Sequence, residues 1–462
     1  MRKFYRKAHR WLGIGIGIII LLFSVTGIIL NHRQSVSGID ISRASLPKNY
    51  QIRNYNNGIV RGTLAKDNQH LIVWGNAGVW QTDPHFASFK SLNEGLPDGA
   101  DNRDILSVVR TSRGQLIAAS SWAVFCWDGR WVRLYEAPIH DMTMRADTLV
   151  IVTDTAVITS PYPYRSFVAH HIKGTHKRGR GNLFSMIMQL HSGQLFGLPG
   201  VFFVDGIAVV LIVLVVTGLC FTFGSKKLKR PVLRWHNALG LWLIVFTIGI
   251  AITGICLRDP LSGLVRKVTF ASHQQYLRDL RAIRWNAHAC KWMLVTKRSM
   301  YWLDTLGGKP EKMKHHPQLT SMGVNVFQPV DSVTWLIGSL RGACLFCPED
   351  STVTPIGKKL AVVGYSNNMG HAGFVLFDKR KGAVDSKGKT LKKHISATPM
   401  VLQKQGMPLW NVALEIHVGR FFISFIPALS SAFYVYCTGI IILLVLVTGL
   451  LLHPKLMRKR KN

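Results

Sequence analysis

The apolar residues of this chain are concentrated in four long blocks, separated by segments in which polar residues recur. The blocks cover about residues 11–31, 200–223, 237–257 and 428–452. A helix of about 20 residues crosses a hydrocarbon core about 30 Å thick, so each block is long enough to span a bilayer. We therefore predict a membrane protein with four transmembrane α-helices. The first block is too long to be a cleaved signal peptide.

Two polar segments, 34–182 and 262–409, follow another pattern, in which short apolar runs alternate with turns. Examples are LIVWGNAGVWQTD at 71–83 and WMLVTKRSMYWLD at 292–304. β-Branched and aromatic residues bounded by Gly, Asn and Asp are typical of strands and turns. The runs recur every roughly 30 to 45 residues, a spacing that resembles propeller blades. Each segment holds only about three such units, so we predict two mainly-β domains; two segments packed together would supply about six.

Clusters of Lys and Arg flank the predicted helices on one side of the membrane. They lie before the first helix, between the second and the third, and after the fourth, in three stretches without Asp or Glu. Because cytoplasmic loops are enriched in Lys and Arg, we place both termini in the cytoplasm and both long segments outside. In a bacterium this means the inner membrane, with the large domains in the periplasm.

The predicted order of elements is helix, external domain and helix, repeated once. The domains are helix 1 with a cytoplasmic N-terminus (1–33), external β-rich domain 1 (34–182), helix 2 with an external collar (183–225), the cytoplasmic loop with helix 3 (226–261), external β-rich domain 2 (262–409), and a collar with helix 4 and a basic cytoplasmic tail (410–462). Two halves that cross the membrane in the same directions form parallel repeats, related by a pseudo-two-fold axis along the membrane normal.

Four histidines occupy matching positions in the two halves. His9 in HRWLG and His236 in HNALG begin the first and third helices, and His191 in LHSGQLFG and His417 in IHVGRFF precede the second and fourth. The axis makes His9 and His236 partners near the cytoplasmic face, and His191 and His417 partners near the external face. An ionisable side chain at the bilayer edge is a functional candidate, and imidazoles are common axial ligands of haem iron. The alternative is that these histidines lie among the headgroups and bond water.

All four helices also close on a Thr-Gly pair, at Thr26-Gly27, Thr217-Gly218, Thr253-Gly254 and Thr448-Gly449. We interpret the glycines as points where helices, or a flat porphyrin, approach the backbone closely. Pro199 and Pro427 stand between a histidine and an apolar block. They predict that the second and fourth helices begin at or above the membrane surface and bend at the proline.

Other residues near the external side are weaker candidates. His32, at the end of the first helix, is a substitute ligand for the external pair. Asp205 in FFVDG is either a helix-end carboxylate facing water or a group that handles protons or substrate. Cys344 and Cys347 form a CxxC that is either a disulfide or a redox pair, although a strand would point them to opposite faces.

The motifs around the four histidines resemble those of the PepSY-associated transmembrane family. HRWLG, the Thr-Gly end of the first helix, LHSG, the H-x-x-LG start of the third helix and IHVG carry the resemblance, which covers the helices and their flanks. Members of this family are iron-regulated inner-membrane proteins, among them haem-containing ferric-siderophore reductases. The resemblance implies that His9, His191, His236 and His417 bind haem iron. The haem would be of b type, with two groups per chain, since the sequence has no CxxCH for covalent attachment.

The function predicted on this basis is an oxidoreductase that passes electrons across the bilayer to an external ferric siderophore or other ferric chelate, in iron uptake. Its reductant would be a separate molecule, because the short cytoplasmic segments hold no GxGxxG or flavin motif. The formal net charge is +34, of which the three cytoplasmic clusters supply 15 positive charges, so about +19 remains, mostly on the external segments. A basic external surface suits an anionic substrate or anionic lipid, although a solvated basic face explains it at least as well. Nucleic acid is not an expected partner.

The alternative function is a non-enzymatic module, in which the helices only anchor β-domains that bind an envelope partner. A transporter is a weaker alternative, since four helices without broken spans leave little room for alternating access.

Overall fold

The computed structural model describes residues 2–174, 179–272, 276–320, 323–369, 373–391, 395–426 and 430–453. The chain forms two compact units. The helical unit comprises Met1–Val36, Arg180–Ser272 and Leu409–Asn462, and the β unit comprises Ser37–Gly179 and His273–Pro408.

Helices of very different lengths make up most of the helical unit. They are α1 (Arg2–Asn31), α2 (Leu183–Ser192), α3 (Gly197–Phe223), α4 (Lys226–Cys256), α5 (Leu261–Lys267), α7 (Leu409–His417), α8 (Arg420–Ile423) and α9 (Ser431–Leu452), while α6 (Met400–Gln403) belongs to the β unit. The long helices contact one another in a ring, in which α1 packs against α3 and α9, and α4 packs against the same two helices.

Among the described residues, four helical stretches are long and apolar enough to cross a membrane: Lys3–Asn31, Gln194–Phe223, Pro231–Cys256 and Ser431–Leu452. They confirm the four predicted apolar helices. Their outer surfaces are apolar too, since Ile18 and Trp242 are 72% and 83% exposed. Apolar surface of this extent is typical of contact with lipid.

The two short helices that carry His191 and His417 end at a left-handed glycine. Gly193 ends α2 with φ +80°, and Gly419 follows α7 with φ +79°. A side chain at either glycine would also collide with a neighbouring segment. A Cβ at Gly193 would lie 2.2 Å from the carbonyl oxygen of Gly200, and a Cβ at Gly419 would lie 2.2 Å from Cδ1 of Tyr434.

These glycines change the predicted position of one bend. The break before the second span was predicted at Pro199, but it lies at Gly193, because only glycine adopts this φ without strain. Pro199 lies inside the first turn of α3, where its missing N–H costs nothing. Pro427, predicted to bend the fourth span, lies outside the described residues.

The strands of the β unit form antiparallel sheets. A short pair joins β1 (Asp40–Ile41) to β27 (Met407–Pro408). The first segment forms sheet 1 with β2 (Gly62–Ala65), β3 (Leu71–Gly75), β4 (Gly78–Thr82) and β5 (Phe89–Ser91), sheet 2 with β6 (Ile105–Arg110), β7 (Leu116–Ser120), β8 (Ala123–Asp128) and β9 (Arg130–Glu136), and sheet 3 with β10 (Asp141–Arg145), β11 (Thr148–Val152), β12 (Val157–Pro161) and β13 (Val168–His170).

The second segment adds three further sheets. Sheet 4 has β16 (Leu280–Asn286), β17 (Lys291–Thr296), β18 (Met300–Leu303) and β19 (Glu311–Lys312), sheet 5 has β20 (Val326–Pro329), β21 (Trp335–Ser339), β22 (Gly342–Cys347) and β23 (Thr352–Ile356), and sheet 6 has β24 (Val362–Ser366), β25 (Val375–Asp378) and β26 (Gly382–Val384). Another pair, β14 (Gly179–Asn182) and β15 (Thr269–Ser272), lies almost wholly in the helical unit.

Sheets 1 to 6 close into a ring. The first strand of each sheet contacts the sheet before it, and β24 of sheet 6 contacts β2 of sheet 1. A hydrophobic cluster fills each of the gaps between neighbouring sheets, the one between sheets 6 and 1 included. In the part of the chain that the structure describes, the β unit is therefore a closed six-bladed propeller.

The alternation of side chains along β3 shows how the sequence builds this ring. Leu71 and Val73 point into the cluster between sheets 6 and 1, whereas Ile72 and Trp74 point into the cluster between sheets 1 and 2. Such a strand is buried on both faces, which explains its continuous apolar run. The two segments, predicted to form two domains, belong to one unit, because three blades alone would leave two apolar faces uncovered.

Candidate functional site

The first pair of predicted site residues, His9 and His236, meets inside the helical bundle. His9 lies on α1 and His236 on α4, and both side chains are half-buried. Their ring centroids are 6.1 Å apart, and the ring planes make an angle of 79°.

The second pair, His191 and His417, has nearly the same geometry. His191 is in the last turn of α2 and His417 in the last turn of α7. Their ring centroids are 6.4 Å apart, with an angle of 68° between the planes. The structure therefore brings together the two pairs of histidines that the repeat in the sequence predicts.

These separations suit one metal ion held between two imidazoles. A bond between a metal and an imidazole nitrogen is about 2 Å long, and the ring centroid lies about 1 Å further away, so two rings on opposite sides of one metal have centroids about 6 Å apart. Among the described residues, no group of three or more His, Cys, Asp or Glu could hold a metal ion. A metal bound here would need further ligands of its own, as the iron of a porphyrin has.

Each histidine is held by the threonine of a Thr-Gly pair on another helix. The Nδ1 atom lies 3.3 Å from Oγ1 of the threonine for His9 and Thr448, 3.0 Å for His236 and Thr217, 2.9 Å for His191 and Thr253, and 2.9 Å for His417 and Thr26. In every case the Nδ1 atom of the histidine is hydrogen-bonded to a threonine hydroxyl. The Nε2 atom of each ring remains as the one that a metal could bind.

The glycine of each Thr-Gly pair faces the same histidine ring. A Cβ added to the glycine would lie close to the Cε1 atom of the imidazole, at 3.0 Å for Gly449 and His9, 3.2 Å for Gly254 and His191, 3.6 Å for Gly218 and His236, and 3.7 Å for Gly27 and His417. The glycines thus leave room for the imidazoles. The Thr-Gly pattern predicts a close approach of helices or of a porphyrin at these positions, whereas the neighbour in the structure is the histidine ring.

Burial keeps the imidazoles of the second pair neutral. It lowers the pKa of His191, and burial together with the charges of His191 and Arg258 lowers the pKa of His417 to about 3. A neutral imidazole is the form that coordinates a metal.

The structure places His32 with a carboxylate. Its Nε2 atom lies 2.6 Å from Oδ2 of Asp205, and Asn31 donates to the other oxygen of this carboxylate at 2.8 Å. Asp205 thus ties α3 to the end of α1. This contact engages the Nε2 atom of His32, the predicted substitute ligand for the external pair.

The CxxC cysteines are free thiols on one strand, β22. Cys344 is buried, and burial raises the pKa of its thiol to about 11. A thiol with this pKa is protonated near neutral pH and is a poor nucleophile, so the structure does not support a redox pair.

Comparison with known families gives one match over nearly the whole chain. The family described as PepSY-associated TM region matches residues 6–453. No curated protein matches the chain.

Solved structures resemble the chain only distantly. The extracellular domain of a one-component system from Bacteroides thetaiotaomicron is 11% identical, with a TM-score of 0.39, and the match covers 75% of this chain and 37% of that one. A protein of unknown function from B. thetaiotaomicron VPI-5482 is 9% identical, with a TM-score of 0.37 and coverage of 74% and 72%. PorZ, a surface component of the type-IX secretion system of Porphyromonas gingivalis, is 8% identical, with a TM-score of 0.32 and coverage of 74% and 39%. The chain spans well under half the length of the first and the last of these, and no function is transferred from any of them.

Proposed function

We propose that this chain, which belongs to the PepSY-associated transmembrane family, binds two b-type haem groups and carries electrons across a membrane. The family match confirms the resemblance drawn from the histidine motifs. The observation that carries the proposal is the geometry of the two histidine pairs, with ring centroids 6.1 and 6.4 Å apart.

The residues present fit haem as a ligand. His9 and His236 would hold one group and His191 and His417 the other, each through a free Nε2 atom. When bound, haem iron supplies reversible one-electron transfer. The surrounding spans are apolar, as a porphyrin requires, and no covalent attachment motif is present in the sequence.

The two pairs lie near opposite ends of the bundle. His9 is near the start of α1, whereas Thr26, which contacts His417, is near its end. At about 1.5 Å per helical residue, the two levels are roughly 25 Å apart along α1. Two haem groups at these levels would shorten the distance that an electron must cover in each transfer across the bilayer.

The contacts between histidine and threonine support two parallel repeats. Every one of them joins the two halves of the chain, as in His9 with Thr448 and His236 with Thr217. These two contacts lie at equivalent positions of the two halves. The contact of His191 with Thr253 is likewise equivalent to that of His417 with Thr26. A pseudo-two-fold axis along the membrane normal accounts for this exchange.

We propose further that the electrons reach a ferric siderophore or another ferric chelate outside an inner membrane, with both termini in the cytoplasm. One electron converts the ferric complex into a weaker ferrous complex, which releases the iron. The resemblance to ferric-siderophore reductases and the basic clusters on one side of the spans support this assignment. The electron donor is a separate molecule on the cytoplasmic side.

A second candidate is a membrane anchor for the propeller, which would bind an envelope partner without redox chemistry. The closed ring of sheets favours it as a binding scaffold. It leaves unexplained why four imidazoles are paired and hydrogen-bonded inside the bundle, so we favour the haem protein.

Haem content decides between the two. Protein purified in detergent from cells with ample haem should show a Soret band, and a pyridine haemochrome assay should give about two b-type groups per chain. Reduction by dithionite should produce the spectrum of six-coordinate iron with two imidazole ligands. A folded protein without haem would exclude the redox function and leave the anchor.

A further inference from the structure

The hydroxyl groups of the threonines in the Thr-Gly pairs are already committed as donors. Each donates its single hydrogen to a carbonyl four residues earlier in its own helix. The distances are 2.5 Å from Thr26 to the Leu22 oxygen, 2.6 Å from Thr217 to Val213, 2.8 Å from Thr253 to Gly249 and 2.8 Å from Thr448 to Leu444. A hydroxyl has one hydrogen and two lone pairs. The threonine oxygen can therefore only accept a hydrogen bond from the histidine.

This fixes the position of the proton on each imidazole. If threonine Oγ1 accepts, Nδ1 must donate, and a neutral ring with hydrogen on Nδ1 carries its lone pair on Nε2. His9 gives an independent indication, because its Nδ1 also lies 2.9 Å from the carbonyl oxygen of Val445, an atom that cannot donate.

We infer that Thr26, Thr217, Thr253 and Thr448 are positioning residues for the haem ligands. Each holds one imidazole in the tautomer and orientation that present Nε2 to the iron. This inference rests on the proposed haem function and adds to it the residues that prepare the site. Hydrogen bonds to the far nitrogen of a ligating histidine raise its basicity and orient its ring. A neutral hydroxyl can do this within the spans, where a carboxylate would be costly.

The chain provides matched control residues on the same helices. Thr438 on α9 donates to the carbonyl of Tyr434 at 2.7 Å, and Thr247 on α4 donates to that of Leu243 at 2.9 Å. Both are buried, and neither makes a hydrogen bond to a histidine among the described residues. Replacing them by valine tests the loss of a buried hydroxyl in a span without the loss of a ligand contact.

The test compares Thr217→Val and Thr26→Val with Thr438→Val, Thr217→Ser and Thr26→Ser. Thr448 is left out, because the Val445 carbonyl would remain as an acceptor for Nδ1 of His9. Haem content, haem affinity and the midpoint potential of each haem are measured on the full-length protein in detergent. Each valine variant should weaken haem retention at its own pair about 10- to 100-fold. It should also raise the midpoint potential of that haem, because an imidazole without an acceptor on Nδ1 donates less charge to ferric iron. Serine keeps the acceptor, so it should restore both properties, and Thr438→Val should behave as wild type.

The outcomes separate this inference from the proposed function. If the wild type holds two haem groups and the valine variants retain them with unchanged potentials, the threonines are not positioning residues, while the haem function stands. If serine fails to restore what valine removes, the effect is one of packing and the inference is wrong. A wild type without haem would overturn both the inference and the function.

Discussion

At the scale of single residues, the two histidine pairs should be separable, because they share no side chain. His9→Ala and His236→Ala should each remove the same haem, and His191→Ala and His417→Ala should each remove the other. Haem content should fall from about two groups to about one in each variant, since the altered pair would keep only one of the two imidazoles proposed to hold the haem. Redox titration followed by absorption will show which of the two midpoint potentials has disappeared.

His32→Ala provides the control for this series. Its Nε2 atom is engaged by Asp205 at 2.6 Å, so both haem groups should remain. Loss of both groups in every single variant, in protein that still elutes as a folded species, would contradict two independent sites. Loss of only the haem proposed at His191 and His417 in His32→Ala would place His32 among the ligands.

The residues of the site differ in how far the sequence predicts them. The four histidines can be found because they recur at matching positions of two halves. Their contacts with Thr26 or Thr448 cannot, because each contact joins segments almost 400 residues or more apart in the sequence, at separations of 391 and 439. The regular Thr-Gly endings were the available signal. The pattern indicates only that helices, or a porphyrin, approach the backbone there, because glycine has a known role in such close contacts.

At the scale of secondary-structure elements, the glycine after α2 fixes where His191 lies. Gly193→Ala should lower haem content at the pair formed by His191 and His417. The alanine is strained at φ +80°, and its Cβ would lie 2.2 Å from the backbone oxygen of Gly200, so α2 must shift. Absorption spectra and haem content measure the effect.

Gly114→Ala is the control, because this glycine has φ +82° but no atom within 4 Å of an added Cβ. It should cost only about 1–2 kcal/mol in backbone strain and leave both haem groups in place. Equal haem content in the two variants would show that the end of α2 does not position His191.

A buried ion pair joins the two segments of the propeller at sheets 3 and 4. Asp141 on β10 accepts from Nη2 of Arg284 on β16 at 3.1 Å and from the backbone N–H of Ile283 at 3.2 Å. The side chains of Arg284 and Asp141 are only 13% and 12% exposed. Replacing one partner of such a pair leaves a buried charge, so Asp141→Ala should lower the free energy of unfolding by about 3–5 kcal/mol.

The matched control for this pair is exposed. Arg133 and Glu136 form an ion pair of 2.6 Å with side chains 57% and 55% exposed, and Glu136→Ala should change the free energy of unfolding by about 0–1 kcal/mol. Denaturant unfolding followed by tryptophan fluorescence measures both. Similar losses in the two variants would mean that the ion pair between sheets 3 and 4 contributes no more to the free energy of unfolding than an exposed ion pair does.

The helices and strands can largely be predicted from the sequence, but the closure of the six sheets into a ring cannot. Apolar length predicts the four spans, and the runs at 71–83 and 292–304 coincide with β3–β4 and β17–β18. The strands of sheet 6 carry a weaker signal in the sequence, because β25 and β26 are short and separated by only three residues, 379–381. Ring closure depends on contacts between sheets 3 and 4 and between sheets 6 and 1. These join distant segments, on which local periodicity carries no information.

At the scale of the whole molecule, neither half of the chain is complete by itself. Each half supplies three sheets to the propeller and one histidine to each pair. Every contact between a histidine and a threonine also joins the two halves. The repeat in the sequence therefore describes how the chain is organised, while the folded unit is the assembly of both halves.

If the complete assembly conducts electrons, dithionite-reduced protein should be reoxidised by ferric chelates, with ferrozine reporting the ferrous product. The rate for an anionic chelate should fall as salt is added, because the net charge of about +19 on the segments 34–182 and 262–409 attracts it and the Debye length shortens to about 10 Å at 0.1 M. A neutral ferric chelate of similar size should show a much weaker salt dependence.

His191→Ala should keep a reducible haem at the other pair but transfer electrons to the chelate more slowly, since the group nearer the proposed acceptor side is missing. Stopped-flow absorption at the Soret band measures both rates. Reoxidation by oxygen alone, with no ferric chelate acting as acceptor, would leave a haem protein whose substrate is not ferric iron.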